Sequence, residues 1–229
     1  MIASPLSVQV LFHIGPAPIT TPVVTTWGLM ILLAGGSWLL TRRLSLRPGR
    51  IQAAAELVIE GVSGQIRDTI GEDPAPYLPV IGTLFLFILT ANWSSLVPGV
   101  EPPTAHLETD AALAFVVFAA TLWFGVRKLG VVGYLRTFAQ PTLLLAPLNF
   151  VELLTRTFSL IVRLFGNVMS GVFIIAVILS LAGLLVPIPL MALHLLTGAV
   201  QAYIFAALAA VFIGGAMAES SPEKPKARP

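Results

Sequence analysis

The sequence predicts an all-α polytopic membrane protein, built from five transmembrane helices and one interfacial amphipathic helix. Three observations predict it. Of 229 residues, 56% are hydrophobic and only 10% are charged, against roughly 25% charged in soluble domains, so a water-soluble fold could not cover its surface. The charges leave long gaps, and about 20 apolar residues in a helix cross the roughly 30 Å of bilayer hydrocarbon. Lysine and arginine fall in alternate connections, as they do in short loops kept on the cytoplasmic side. Composition also excludes several functions. Lys+Arg 13 against Asp+Glu 11 is too balanced, and its basic residues too scattered, for a nucleic-acid face, so no nucleic-acid partner is expected. Cysteine is absent, which removes a disulfide scaffold, a thiolate metal site and a cysteine nucleophile. His13, His106 and His194 stand far apart, and neither a metal nor a cofactor is expected.

Taken in order, residues 1–22 form an extracytoplasmic segment punctuated by Gly15-Pro16-Ala17-Pro18. The first charge is Arg42, so the positive start of a cleaved signal peptide is missing. The first span covers about 23–41. Between 50 and 70, Ile51, Ala55, Val58, Val62 and Ile66 recur at helical spacing, with Gln52, Glu56, Ser63 and Arg67 around the other side. That pattern reads as a helix on the cytoplasmic interface; a short solvent-exposed helix is the alternative, which length does not separate. The second span, 77–97, is stopped by Val97-Pro98-Gly99, and the third, 110–128, lies between Asp110 and Arg127. Leu164 to Ala218 carries no charge, and Val186-Pro187-Ile188-Pro189 divides it. The last spans are therefore 143–185 and 188–218, and 219–229 is a cytoplasmic tail of disordered composition. Arg42, Arg43, Arg47 and Arg50 follow the first span; Arg127, Lys128 and Arg136 the third; Lys224, Lys226 and Arg228 the fifth. The opposite side has neither Lys nor Arg, so the N-terminus is placed outside and the C-terminus in the cytoplasm.

A charge inside a membrane span is costly and is a functional hypothesis by default. Arg163 is such a charge, between Thr157-Phe158-Ser159-Leu160-Ile161-Val162 and Leu164-Phe165-Gly166-Asn167. Glu152, Arg156 and Arg163 share one helix face at steps of four and seven, and Asn167 extends it by a turn. Eleven residues of helix are about 16 Å, too far for Glu152 to neutralise Arg163. Glu152 instead pairs with Arg156, leaving Arg163 without a carboxylate on its own helix. The fifth span carries a second polar stripe, His194, Thr197 and Gln201, with Gly198 beside it. His194 on this evidence is either a structural hydrogen-bonder or a proton carrier. A hairpin turning near Pro187 would put Arg163 roughly 24 residues before the turn and Gln201 roughly 14 after it, so the fourth helix must be long or strongly tilted for them to meet.

Pro147-Leu148-Asn149-Phe150-Val151-Glu152, Ser159-Leu160, Arg163-Leu164-Phe165-Gly166-Asn167, Gly171, His194 and Gln201-Ala202-Tyr203-Ile204-Phe205 together resemble subunit a of the rotary F-type ATP synthases, the stationary membrane half of an ion-driven motor. Pro98-Gly99 and Pro102-Pro103-Thr104-Ala105 resemble the loop after that family's second span. The resemblance runs from about residue 77 to 218; the N-terminal third matches only in pattern.

The resemblance implies a bacterial inner-membrane protein whose last two helices form a long tilted hairpin packed on the c-ring, with the peripheral-stalk subunit b and the lipid bilayer as its other partners. Arg163 would face the ring carboxylates. A guanidinium keeps its proton at any accessible pH and favours the ionised form of a neighbouring carboxylate. Each carboxylate arriving there would release its ion, and the fixed charge would block a leak between the two half-channels. Asn167 and Gln201 would orient or hydrate that pair, Glu152 would line the inner half-channel, with Arg156 beside it, and His194 the outer.

Two departures stand out. Many members have a carboxylate or histidine where this chain has Val172, and the frequent Thr-Ala-Asp-x-Asn is here Thr104-Ala105-His106-Leu107-Glu108. The outer half-channel is then rebuilt from His106, Glu108, Asp110 and His194, or is a wide aqueous cleft. Protons are the expected ion, with sodium the alternative. Two other classes compete: a stand-alone secondary transporter using Arg163 to bind an anion, and an intramembrane hydrolase, for which only Ser159 and His194 are available and no hydrolase motif occurs.

Overall fold

The structure, a computed structural model, describes residues 10–14, 17–42, 49–97, 100–138, 146–183 and 186–218. Among these are six α-helices: α1 (Thr21–Thr41), α2 (Arg50–Ile70), α3 (Leu78–Trp93), α4 (Leu107–Phe138), α5 (Ala146–Ala182) and α6 (Pro187–Ala218). All but α2 are long and apolar enough to cross a membrane, α3 by way of a 3-10 turn that extends it to Leu96. The membrane part is all-α, as the sequence predicts. Before it lie two short antiparallel strands, β1 (Val10–Ile14) and β2 (Ala17–Thr20), which hydrophobic periodicity had not suggested. Gly15-Pro16, Arg43, Arg47, Pro98-Gly99 and the tail 219–229 lie outside the described residues.

Helix α1 carries Pro22 in its first turn, where a missing N–H costs nothing, and Pro22 is its one buried residue. Its other residues, mostly apolar, are half-buried or exposed. Helix α2 ends at Gly71, whose left-handed φ of 75° lets its N–H close on the Arg67 carbonyl at 2.9 Å. Two residues of its apolar stripe, Val62 and Ile66, are buried against Tyr77, Ile81, Phe124, Ala210, Ile213 and Met217. Ile51, at the other end of that stripe, stays 73% exposed. The α2–α3 connection is tied down by Glu72, which accepts hydrogen bonds from Lys128 Nζ and, at 3.0 Å, from the Tyr77 hydroxyl. The Lys128 ammonium and then the Tyr77 hydroxyl hold the Glu72 carboxyl below the usual carboxylate range.

Helix α6 is the centre of the bundle. Ala202, Ala206, Ala209 and Ala210 are all buried, and such small side chains let neighbouring membrane helices approach closely. Leu84 and Ile88 of α3, Ala114 and Val117 of α4, and Leu160, Leu164 and Val168 of α5 close around Ala202, Phe205 and Ala209.

Two breaks differ from the sequence-based reading. The third span was expected to end at 128, but α4 runs on to Phe138 through a sharp kink at Gly130 (φ 72°, ψ 163°), a conformation open to glycine. Beyond the kink the chain returns on itself, so that a Cβ added at Gly125 would lie 2.5–3.3 Å from Tyr134 ring atoms; Gly125 is what admits the ring. The hairpin, expected to turn at Pro187, leaves α5 at Gly183 with φ 75°. At 37 and 32 residues, α5 and α6 are about 55 and 48 Å long, well beyond the hydrocarbon thickness, and must tilt to stay within it.

Candidate functional site

On α5 the buried stripe Leu160, Leu164, Val168 faces the bundle, and Arg163, one residue aside, is exposed on the outer surface with Asn167 half-buried a turn above. Among the described residues the Arg163 guanidinium has neither an ion-pair nor a hydrogen-bond partner. Glu152 and Arg156 form the i, i+4 pair expected from their spacing, and the Arg156 guanidinium carbon stands 5.7 Å over the Phe212 ring. These residues line a cleft of about 280 Å³ that contains Glu152, Arg156, Ser159, Arg163 and Phe212. A smaller cleft of about 50 Å³ shares Glu152, Arg156 and Phe212 and reaches Thr121, Tyr134, Thr137 and Asn149. The two clefts are neighbours through these three shared residues, and together they form a trough whose walls run from the folded-back end of α4 to Arg163.

The register of the hairpin follows from one contact. Gly171 of α5 lies directly beneath the His194 imidazole of α6. Antiparallel helices advance equally in opposite directions, so two turns away from the hairpin turn bring Leu164 opposite Gln201. Arg163 and Gln201 are therefore at one depth. Because α5 already ends at Ala182 while α6 starts at Pro187, Arg163 lies 19 residues from its helix end and Gln201 14 from its own, so the expected mismatch of ten residues narrows to five.

Toward the other end, His194 is buried at 7% exposure, and its Nε2 has no hydrogen-bond partner among the described residues. It borders a cleft of about 220 Å³ shared with Val172, Ala176, Leu179, Ser95 and Glu101. Glu101, more than half exposed, stands 3.5 Å from His106 Nε2, an ion-pair distance without hydrogen-bond geometry. Asp110 is fully buried, and among the described residues neither of its carboxylate oxygens nor Gln201 Nε2 has a hydrogen-bond partner. Unpaired buried polar groups are rare and call for an explanation.

The candidate residues thus separate into groups. Glu152, Arg156 and Arg163 share the trough; His194 lines the opposite cleft; Asn167 and Gln201 flank the depth of Arg163. His106 and Asp110 line neither cleft, and Glu108 points to the surface. The sequence reading did not single out Glu101, Asn92 or Thr104. Asn92 had a signal, a lone amide in an otherwise apolar helix end. It is 1% exposed, donates from Nδ2 to the Gly198 carbonyl at 2.9 Å and accepts the Thr104 hydroxyl at 2.7 Å.

Comparison with known proteins covers nearly the whole chain. The sequence profile of the ATP synthase A chain family matches residues 23–214. ATP synthase subunit a 2 of Bradyrhizobium sp. strain BTAi1 is 55% identical over 217 residues, covering 95% of this chain and 97% of that protein. ATP synthase subunit a 1 of Chlorobaculum parvum is 49% identical over 90% of this chain and 92% of its own length. ATP synthase subunit a of Albidiferax ferrireducens is 47% identical over 90% and 89%. With the profile spanning most of its length and such relatives matching end to end, the chain belongs to the ATP synthase A chain family.

Proposed function

We propose that this chain, as the stationary ion-channel subunit of an F-type ATP synthase, passes protons between two half-channels by way of Arg163 and the carboxylates of a c-ring. The observation that carries the proposal is an exposed arginine on α5 with no ion-pair partner among the described residues, lining the same cleft as Glu152 and Arg156. An unpaired guanidinium within a membrane span is costly and calls for an anionic partner supplied from outside the chain. A ring carboxylate would meet that need once per step.

In this reading a ring carboxylate arrives protonated at one half-channel and releases its proton into it on nearing Arg163, because the guanidinium favours the carboxylate anion. The anion passes Arg163, takes up a proton from the other half-channel and carries it away round the ring. The trough past Glu152 and Arg156 serves as the inner half-channel, and the Glu101–His194 cleft as the outer. The buried His194 Nε2 and Gln201 Nε2, without a hydrogen-bond partner among the described residues, are suited to holding water along such a route. Val172 leaves the outer cleft without a titrating group at that position, and Glu101 at its mouth takes that place. The N-terminus lies outside and the C-terminus in the cytoplasm of a bacterial inner membrane, with a peripheral-stalk subunit b as the second membrane partner.

The test is ATP-driven uptake into vesicles carrying the assembled complex. Pumping by the unaltered complex that a protonophore abolishes and sodium does not affect, together with its loss in Arg163→Ala, is the expected result. Undiminished pumping by Arg163→Ala would end the proposal; sodium-dependent uptake that survives the protonophore would replace the proton with sodium.

A further inference from the structure

We propose that Asn92 is a positioning residue for the α6 half of the ion path, acting through a buried clasp with Thr104 and Gly198. The inference rests on the reading that His194 and Gln201 lie on that path. Asn92 and Thr104 are 1% and 0% exposed, and both polar ends of the amide are used: Nδ2 donates to the Gly198 carbonyl and Oδ1 accepts from Thr104 Oγ1. The neighbouring Trp93 Nε1 donates to the Leu195 carbonyl at 3.3 Å. Consecutive residues of α3 therefore hold two carbonyls three positions apart on α6, which fixes both the depth and the rotation of that helix. Gly198 gives the contact its room, since a Cβ there would lie a tight 3.0 Å from Asn92 Cβ and 3.5 Å from Nδ2.

The clasp sits midway along the polar stripe. His194 is one turn from Gly198 on one side and Gln201 nearly one turn on the other, so all three face the same way. Losing the clasp would free α6 to rotate or slide, and with it the buried imidazole and amide. Interhelical hydrogen bonds in membranes contribute modestly to stability, so a complex lacking this clasp should assemble. Displacement of the stripe, by contrast, acts on transport.

The test compares Asn92→Ala, the near-isosteric Thr104→Val and the hydroxyl-keeping Thr104→Ser in the assembled complex, with Arg163→Ala as control. Assembled complex is quantified separately from ATP-driven pumping, and pumping is measured across pH. Asn92→Ala and Thr104→Val are each expected to lower pumping per assembled complex by about tenfold with a displaced pH profile. Combined, they should do no more than Asn92→Ala alone, and Thr104→Ser should pump normally. A general structural role would lower only the amount of complex. Normal pumping per complex by Asn92→Ala, or independent multiplying losses in the double variant, would overturn the clasp. If Asn92→Ala does not assemble, Thr104→Val decides by the same criterion. Normal pumping by Arg163→Ala would instead remove the translocation reading beneath it.

Discussion

Gly171→Ala isolates the contact that sets the hairpin register. A Cβ at this position would lie 3.1 Å from His194 Cγ and nearer still to Nδ1 and Cε1. Ordinary van der Waals contact begins at 3.4 Å, so the imidazole must retreat by about 1 Å or more to clear two of its own ring atoms. His194 is buried, and the room beside it is the 220 Å³ cleft. The ring must therefore swing into that cleft or push α6 away from α5. Either movement misplaces a group on the proposed outer route, and a misplacement of about 1 Å costs as much as about 100-fold in rate, or roughly 2.7 kcal/mol of barrier. The assay is ATP-driven acidification of inverted vesicles, expressed per assembled complex. Gly171→Ala should assemble and pump about 10- to 100-fold more slowly. Adding His194→Ala removes the clash, so the double variant should be no worse than His194→Ala alone. Wild-type pumping by Gly171→Ala, or losses that multiply in the double variant, would refute the steric reasoning.

Other substitutions test separate parts of the structure. Ile66 is 0% exposed between α2 and the bundle, so Ile66→Ala should weaken α2 docking by about 2–4 kcal/mol. Limited proteolysis within α2 should accelerate accordingly, with Ile51→Ala as the exposed control; equal rates in the two would contradict the docking. Asp110→Asn should assemble and lose more than about tenfold in pumping if the buried carboxylate serves the outer route. Wild-type pumping by Asp110→Leu with a raised thermal midpoint would make Asp110 only an unpaired buried group. Glu72 is held below its ordinary value, so its contribution is complete above 4.5 and fades as pH falls through the lowered value. Lys128 and Glu72 are 40% and 44% exposed, which limits the pair to about 1 kcal/mol or less. Glu72→Gln should lower the thermal midpoint of the solubilised complex near neutral pH and leave it unchanged in strong acid; an offset that persisted in acid would contradict the pairing.

Much of this molecule is readable from residues in order because the membrane imposes long, local signals. Uncharged runs mark the spans, the 50–70 periodicity marks α2, and helical spacing alone predicts the Glu152–Arg156 pair. Arg163 stands out for the same local reason. What escaped is non-local or set by single glycines. The kink at Gly130 and the turn at Gly183 depend on left-handed backbone, and neither residue differs in type from the glycines inside straight helix. Proline is the louder signal at 187, which is why the turn was expected there. The Asn92–Thr104–Gly198 clasp joins three separate segments, and nothing in the spacing of one segment announces the other two. Glu101 looked like an ordinary loop charge until the fold set it at the mouth of the cleft beside His194. The paired strands 10–14 and 17–20 were obscured by Pro16 between them and Pro18 within the second.

The position of Arg163 in the assembled complex is the measurement to make on the intact machine, by determining its structure with the c-ring in place. The guanidinium should face the ring, within about 4–6 Å of a ring carboxylate, the range over which an opposite charge favours ionisation. The trough past Glu152 and the cleft beside His194 should open on opposite sides of the membrane. An Arg163 turned toward lipid or the peripheral stalk, or a ring carboxylate meeting the chain at a different depth from Gln201, would contradict the exchange of ions at this residue.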